Sequence, residues 1–125
     1  MLRDQSLVEI RPVIGLQVAG RITETFQNQV LRPILKLQNE LLLLVFKAYI
    51  NKRKGVFYKS SDQEKRNYIE STIKKDMKFK HYLEGLVVGH FTLTEYEDFL
   101  KNEEELTKRL INLLIQRLQS QIDQL

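Results

Sequence analysis

The chain has 125 residues, a length typical of one domain that buries its own core without covalent cross-links. It contains no cysteine, which excludes disulfide bonds and thiolate metal sites. The net charge of +4 is unevenly spread: residues 47–80 hold eleven Lys or Arg and four Asp or Glu, whereas residues 81–105 hold one Lys and seven Asp or Glu. Such segments favour either oppositely charged surfaces that face each other or a basic surface for an anionic partner.

The first 22 residues differ in pattern from the rest. Apolar residues alternate with polar or small ones at Val8, Ile10, Ile14, Leu16 and Val18. This period of two, interrupted by Pro12, predicts an extended N-terminal arm over residues 1–22, either laid over helices or flexible. Asp4 and Glu9 argue against a secretory signal. The longest apolar run, LLLLVF, has six residues, whereas a membrane span needs roughly 20, so we expect a cytoplasmic protein.

From Thr23 onward the apolar spacing becomes that of a helix. Two apolar stripes run from Phe26 to Ile50 and predict a long helix near residues 24–52, buried on most sides. Pro33 is expected either to kink this helix or to mark its true first turn. The cations of NKRKG and the left-handed propensity of Gly55 suit its C-terminal end.

Three shorter helices are predicted to follow. The first begins with Ser61 and Glu64, which have the spacing of a capping box. The second reads through MKFKHYLEGLVV and ends near Gly89. The third, TEYEDFLKN, is assigned Thr94 as its cap, with Glu97 three residues on.

The last helix is predicted near residues 103–124, with Asn102 as its cap. Its apolar stripe is wider than contact with one neighbour requires, which indicates a second wall of the core or a dimer seam. The sequence thus predicts an all-α fold, a small helical bundle: an extended arm at 1–22 and a helical domain at 23–125, in which three shorter helices connect two long apolar ones.

Catalytic and metal-binding patterns are sparse. His81 and His90 are nine residues apart, whereas two ligands on one helix are usually three or four apart. His90 with Glu95 and Glu97 is the single candidate for a metal site. No serine lies in a nucleophile elbow, and no glycine-rich phosphate loop occurs. We therefore expect no catalytic residues and no cofactor.

A basic segment is the candidate for binding nucleic acid or another anion. It contains Lys47, Lys52, Arg53, Lys54 and Lys59, with Tyr49, Phe57 and Tyr58 between them. Cations hold phosphates and aromatic rings stack on bases, so this composition fits single-stranded nucleic acid. The same cations are also explained by the end of a helix.

Two blocks, FQNQVLRPILKLQNELLLLVFKAYI and IKKDMKFKHYLEGLVVGHFTLTEY, resemble a family of short, uncharacterised bacterial helical proteins, some of which are labelled glyoxalase. The resemblance covers roughly residues 26 to 122. The label implies a metal-dependent lyase. The lyase of that name has a β-rich fold with His and Glu ligands, and the hydrolase of its pathway has a His-x-His-x-Asp-His cluster. This chain has two isolated histidines and neither pattern.

Three functions follow from these features. The first is a non-enzymatic helical protein that acts through protein contacts, as a homodimer joined by the 103–125 helix. The alternatives are a metal-dependent lyase of the glyoxalase label and a nucleic-acid-binding protein that uses the 47–80 segment. We predict the first, because its apolar surface is present in the sequence whereas the catalytic motifs are not.

Overall fold

A computed structural model of the chain describes residues 2–13 and 20–125. The described residues form eight α-helices and no strand, which confirms the all-α prediction. The helices are α1 (Leu2–Ile10), α2 (Ile22–Phe26), α3 (Arg32–Leu37), α4 (Asn39–Lys52), α5 (Asp62–Lys75), α6 (Met77–Val88), α7 (Leu93–Lys101) and α8 (Glu103–Gln119). A π-helical turn spans Gln27–Leu31, and 3-10 turns span Val56–Lys59 and Ile122–Gln124. None of these helices is both long and apolar enough to span a membrane.

The core is built around α8. Its buried residues are Leu106, Leu110, Ile111, Leu113, Leu114, Ile115 and Leu118. Helices α5, α6 and α7 pack against it, as does the π turn. The wide apolar stripe that indicated a possible dimer seam is therefore buried against other helices of the same chain. The outward positions of α8, such as Glu104, Lys108 and Asn112, are polar, so the prediction of a homodimer seam on this helix loses its basis.

The segment predicted as one long helix is interrupted twice. Between α2 and α3 the chain makes the π turn, and at Gln38, with φ −88° and ψ 4°, it leaves helical geometry before α4. Pro33 lies in the first turn of α3, one of the two predicted positions. Proline has no N–H for the carbonyl four residues earlier, and its ring crowds that carbonyl. The wider π turn just before it provides the room.

The N-terminus differs from the prediction. Residues 2–10 are helical rather than extended, and residues 14–19 lie outside the described residues. Leu, Arg, Gln and Glu, all good helix formers, dominate residues 2–10, whereas the alternating pattern rests on only two apolar residues there. The helix ends just before Arg11, because a residue that precedes a proline disfavours helical geometry. Helix α1 buries none of its side chains, so polar contacts must hold it.

The structure confirms some of the predicted capping residues and contradicts others. Ser61 and Glu64 form the expected capping box at the start of α5, and Gly89 ends α6. Helix α7, however, is capped by Thr92 with Glu95, so the prediction of Thr94 with Glu97 is wrong by two residues. The earlier start places the buried Phe91 directly before the helix. Asn102 precedes α8, but its side chain makes no capping hydrogen bond.

Gly85 offers a test of local helix stability. It lies in the middle of α6, and an added Cβ would meet no heavy atom within 4 Å outside its own helix backbone. Gly85→Ala should therefore raise the free energy of unfolding by about 1 kcal/mol, because alanine loses less backbone entropy on folding. Urea denaturation measures the change.

The matched control is Gly55→Ala. Gly55 has a φ of +65°, in the left-handed region, so alanine there should lower the free energy of unfolding by about 1 kcal/mol. A loss of stability in Gly85→Ala would instead mean that tertiary packing excludes a methyl group at that position.

Candidate functional site

The predicted basic residues divide between two environments. Lys52 and Arg53 line a groove between α4 and α6 with a volume of about 420 Å³. Lys78 of α6, which also belongs to the basic 47–80 segment, lines the same groove. Lys47, Lys54 and Lys59 are not among the lining residues. The structure thus gathers part of the basic segment at one end of a groove.

The rest of this α4–α6 groove is largely apolar. Its α4 wall contains Val45 and Ala48, and its α6 wall contains Phe79 and Tyr82. The α4 stripe continues to Leu44, which is 63% exposed, while Tyr82 is 57% exposed. Apolar side chains at this spacing normally face a neighbour, so their exposure beside a groove makes this surface a candidate for contact with a partner.

Three polar side chains fix the cationic end of the groove. The Arg53 guanidinium lies 3.3 Å from the centre of the Tyr49 ring, and its Nη2 is 3.6 Å from Asp76 Oδ2. Tyr49 Oη donates a hydrogen bond of 2.7 Å to the same carboxylate. Partial burial and this hydrogen bond raise the pKa of Tyr49 to about 12, so the phenol stays protonated at neutral pH. Arg53 is therefore engaged, and Lys52 and Lys78 are the cations available to a partner.

The aromatic residues proposed for base stacking are mostly occupied. Phe57 is buried, and the Tyr49 ring is covered by Arg53. Only Tyr58 of the three predicted rings is exposed. Stacking on successive bases requires several accessible rings, so the geometry does not favour the nucleic-acid alternative.

At the candidate metal site, Arg11 binds the carboxylate of Glu95 and the backbone oxygen of His90. Arg11 donates to both carboxylate oxygens of Glu95, at 2.7 and 2.6 Å, and to the backbone oxygen of His90 at 2.6 Å. The backbone N–H of Thr92 also donates to Glu95. Glu95 thus has Arg11 as its counter-charge, so the geometry does not favour His90, Glu95 and Glu97 as metal ligands. No group of three or more potential ligands occurs anywhere in residues 2–13 and 20–125.

Burial and the nearby arginines together set the pKa directions in this region. Burial would raise the pKa of Glu95, but the hydrogen bonds from Arg11 and Thr92 hold it below its ordinary value. Burial, followed by the charges of Arg11 and Arg3, lowers the pKa of His90. The loop therefore carries an ionised carboxylate and a neutral imidazole at neutral pH. These are the charge states that an arginine clamp requires.

Two residues of α1 contact the same loop that Arg11 binds. Arg3 donates to the backbone oxygens of Phe91 and Gly89, both at 3.0 Å. Asp4 accepts a hydrogen bond of 3.2 Å from the backbone N–H of Leu93. We name these contacts of Arg3, Asp4 and Arg11 with residues 89–95 the N-terminal latch. Its partners are more than 75 positions apart in sequence, so no local pattern could have indicated them.

Helix α7 carries a second exposed apolar surface. Leu93, Tyr96 and Leu100 are exposed and have the i, i+3, i+7 spacing of one helix face. Glu97 lies beside this face, and Glu103 and Glu104 follow just beyond the helix. The chain thus presents an apolar face on α7 with carboxylates beside it. Elsewhere on its surface it presents an apolar groove with a cationic end.

No family model matches the chain, and neither a curated protein nor a solved structure does. The resemblance to glyoxalase-labelled proteins therefore stays a prediction. A helical bundle by itself is compatible with many functions, so the exposed surfaces carry the functional information in this structure.

Proposed function

We propose that the chain is a non-enzymatic helical protein that acts through protein contacts, and that the α4–α6 groove is its contact surface. The observation that carries this proposal is the exposed apolar stripe of α4 beside the groove, which ends at Lys52 and Lys78. A groove of this kind suits an amphipathic helix that inserts apolar side chains and places carboxylates against the cationic end.

A second copy of the chain can supply such a helix. The α7 face offers Leu93, Tyr96 and Leu100 to the groove, and its neighbouring carboxylates suit the two lysines. Each copy would then use one surface to donate and a different one to receive. This contact replaces the α8 seam as the basis for self-association, because the α8 stripe is already buried within the chain.

The contact is small, and this sets its strength. One face of a nine-residue helix is well short of the area of a standard stable interface. We therefore expect association only at high micromolar concentration, and weaker association at high salt, because salt screens the exposed charge pairs.

Light scattering tests the groove. The mass of the wild-type chain should rise above that of the monomer as concentration increases. Ala48→Glu places a carboxylate in the groove one helical turn from Lys52 and should keep the chain monomeric without disturbing α4. Asn112→Glu is the matched control, because it adds the same charge at an exposed position of α8 and should associate like the wild type.

A mixing experiment tests the identity of the partner. Leu100→Glu should also be monomeric, because it interrupts the α7 face. An equimolar mixture of Ala48→Glu and Leu100→Glu should form pairs, since the first variant retains an intact α7 and the second an intact groove. A wild-type chain that stays strictly monomeric, or a mixture that does, would contradict the proposal.

A further inference from the structure

Two arginines converge on a pocket that the protein-contact proposal does not use. Arg32 of α3 and Arg117 of α8 line a pocket of about 340 Å³, together with Gln116 and Ser120. This pocket shares no lining residue with the α4–α6 groove.

The two arginines are held by neutral groups. Arg32 Nε donates to Asn28 Oδ1 at 3.0 Å, and Arg117 Nη1 donates to Asn39 Oδ1 at 3.2 Å. Gln121 Nε2 donates to the same oxygen of Asn39 at 2.7 Å and so fixes its orientation. Both guanidinium groups are therefore positioned before any ligand arrives, and each keeps donors that these contacts do not use.

No carboxylate compensates the two charges. Among residues 2–13 and 20–125, neither Arg32 nor Arg117 has an Asp or Glu oxygen within 4.0 Å, whereas Arg11 is paired with Glu95 and Arg109 with Glu105. Both arginine residues are half-buried. Burial lowers the pKa of Arg117, and the charge of Arg32 lowers it further. Arginine stays protonated in proteins, so the pair remains in the pocket as an uncompensated double positive charge.

We propose that the Arg32–Arg117 pocket binds a phosphate group, either free or as part of a small phosphate ester. Two guanidinium groups can each offer paired N–H donors to a tetrahedral oxyanion, and the dianion would cancel their repulsion. The Gln116 amide at the edge of the pocket provides a further donor. The net charge of +4 of the chain attracts such an anion from solution.

Thermal unfolding with inorganic phosphate tests this site. Phosphate, compared with chloride at equal ionic strength, should raise the melting temperature of the wild-type chain along a saturable curve. Arg32→Gln should weaken the phosphate affinity by about tenfold or more, because one guanidinium carries about half of the charge-assisted hydrogen bonds. Arg66→Gln removes an exposed arginine that lines none of these pockets and should keep the wild-type phosphate curve.

A second readout separates ligand binding from a structural role. In phosphate-free buffer, Arg32→Gln should be close to the wild type in stability, because the relief of like-charge repulsion offsets the loss of the hydrogen bond to Asn28. Glycerol phosphate in place of inorganic phosphate shows whether the site also accepts an ester. The proposal is overturned if Arg32→Gln retains the wild-type phosphate curve, or if phosphate stabilises the wild type no more than chloride does.

Discussion

Phe46→Ala is expected to lower the free energy of unfolding by about 4 kcal/mol, the largest effect of any single substitution considered for this chain. Phe46 is fully buried on α4. Its ring centre lies 5.9 to 6.4 Å from those of four other aromatic rings: Tyr49, Phe57, Tyr68 and Phe79. These rings come from α4, the 3-10 turn, α5 and α6, so the truncation leaves a cavity where four elements meet. Such a cavity cannot collapse without moving one of them.

Urea denaturation measures this loss, and two variants bracket it. Tyr58→Ala removes an exposed ring from the same 3-10 turn and should cost less than about 1 kcal/mol. Phe46→Leu keeps most of the volume and should fall between the two. A cost below about 2 kcal/mol for Phe46→Ala would mean that the four elements can close around the vacated space.

Glu95→Ala is expected to release α1 from the domain and to lower the free energy of unfolding by about 2 kcal/mol. The change removes the acceptor of three hydrogen bonds and leaves Arg11, whose side chain is 8% exposed, without its counter-charge. Helix α1 buries no side chain that could hold it in place. Amide hydrogen exchange should therefore show protection lost across residues 2–10, while α8 keeps its protection.

Glu97→Ala is the matched control for this change. Glu97 is an exposed glutamate two positions further along the same helix, and its removal should leave both stability and exchange near wild-type values. Protection that persists in residues 2–10 of Glu95→Ala would show that the remaining contacts of Arg3 and Asp4 hold α1 by themselves.

The ion pair between Arg11 and Glu95 makes the attachment of α1 depend on pH. The pKa of Glu95 lies below its ordinary value of 4.5 in the folded chain, so folding favours the ionised carboxylate. The corresponding stability is present above pH 4.5 and is lost as the pH falls through the folded pKa. The wild type should therefore release α1 on acidification, whereas the stability that Glu95→Ala retains should lack this component.

The helix ends that were predicted correctly depend only on residues close together in the sequence. The capping box of Ser61 and Glu64 depends on two residues three positions apart, and it forms as predicted. The end of α6 at Gly89 is likewise set by nearby residues. In the segment TLTEYE the same spacing occurs twice, at Thr92 with Glu95 and at Thr94 with Glu97. Arg11 binds Glu95 although the two residues are 84 positions apart. No pattern of neighbouring residues could have predicted this contact.

The candidate sites show the same division. Lys52 and Arg53 could be recognised as a cluster because they are adjacent, but their position at the end of a groove depends on α6 lying beside α4. The spacing of Lys78, Phe79 and Tyr82 does mark one face of α6, and this pattern could have indicated the second wall. The meeting of Arg32 with Arg117 spans most of the chain and could be found only in the folded structure.

The π turn before Pro33 also has a consequence for chain length. A π turn contains one residue more than an α-helical turn, so Gln27–Leu31 is equivalent to a single-residue insertion. Deleting one residue there would join α2 and α3 into a regular helix, but it would rotate α2 by about 100° relative to α3. Phe26, whose ring centre lies 5.5 Å from that of Phe91, would then face away from it. The number of residues in this stretch, rather than their identity, thus sets the direction in which α2 presents its aromatic ring.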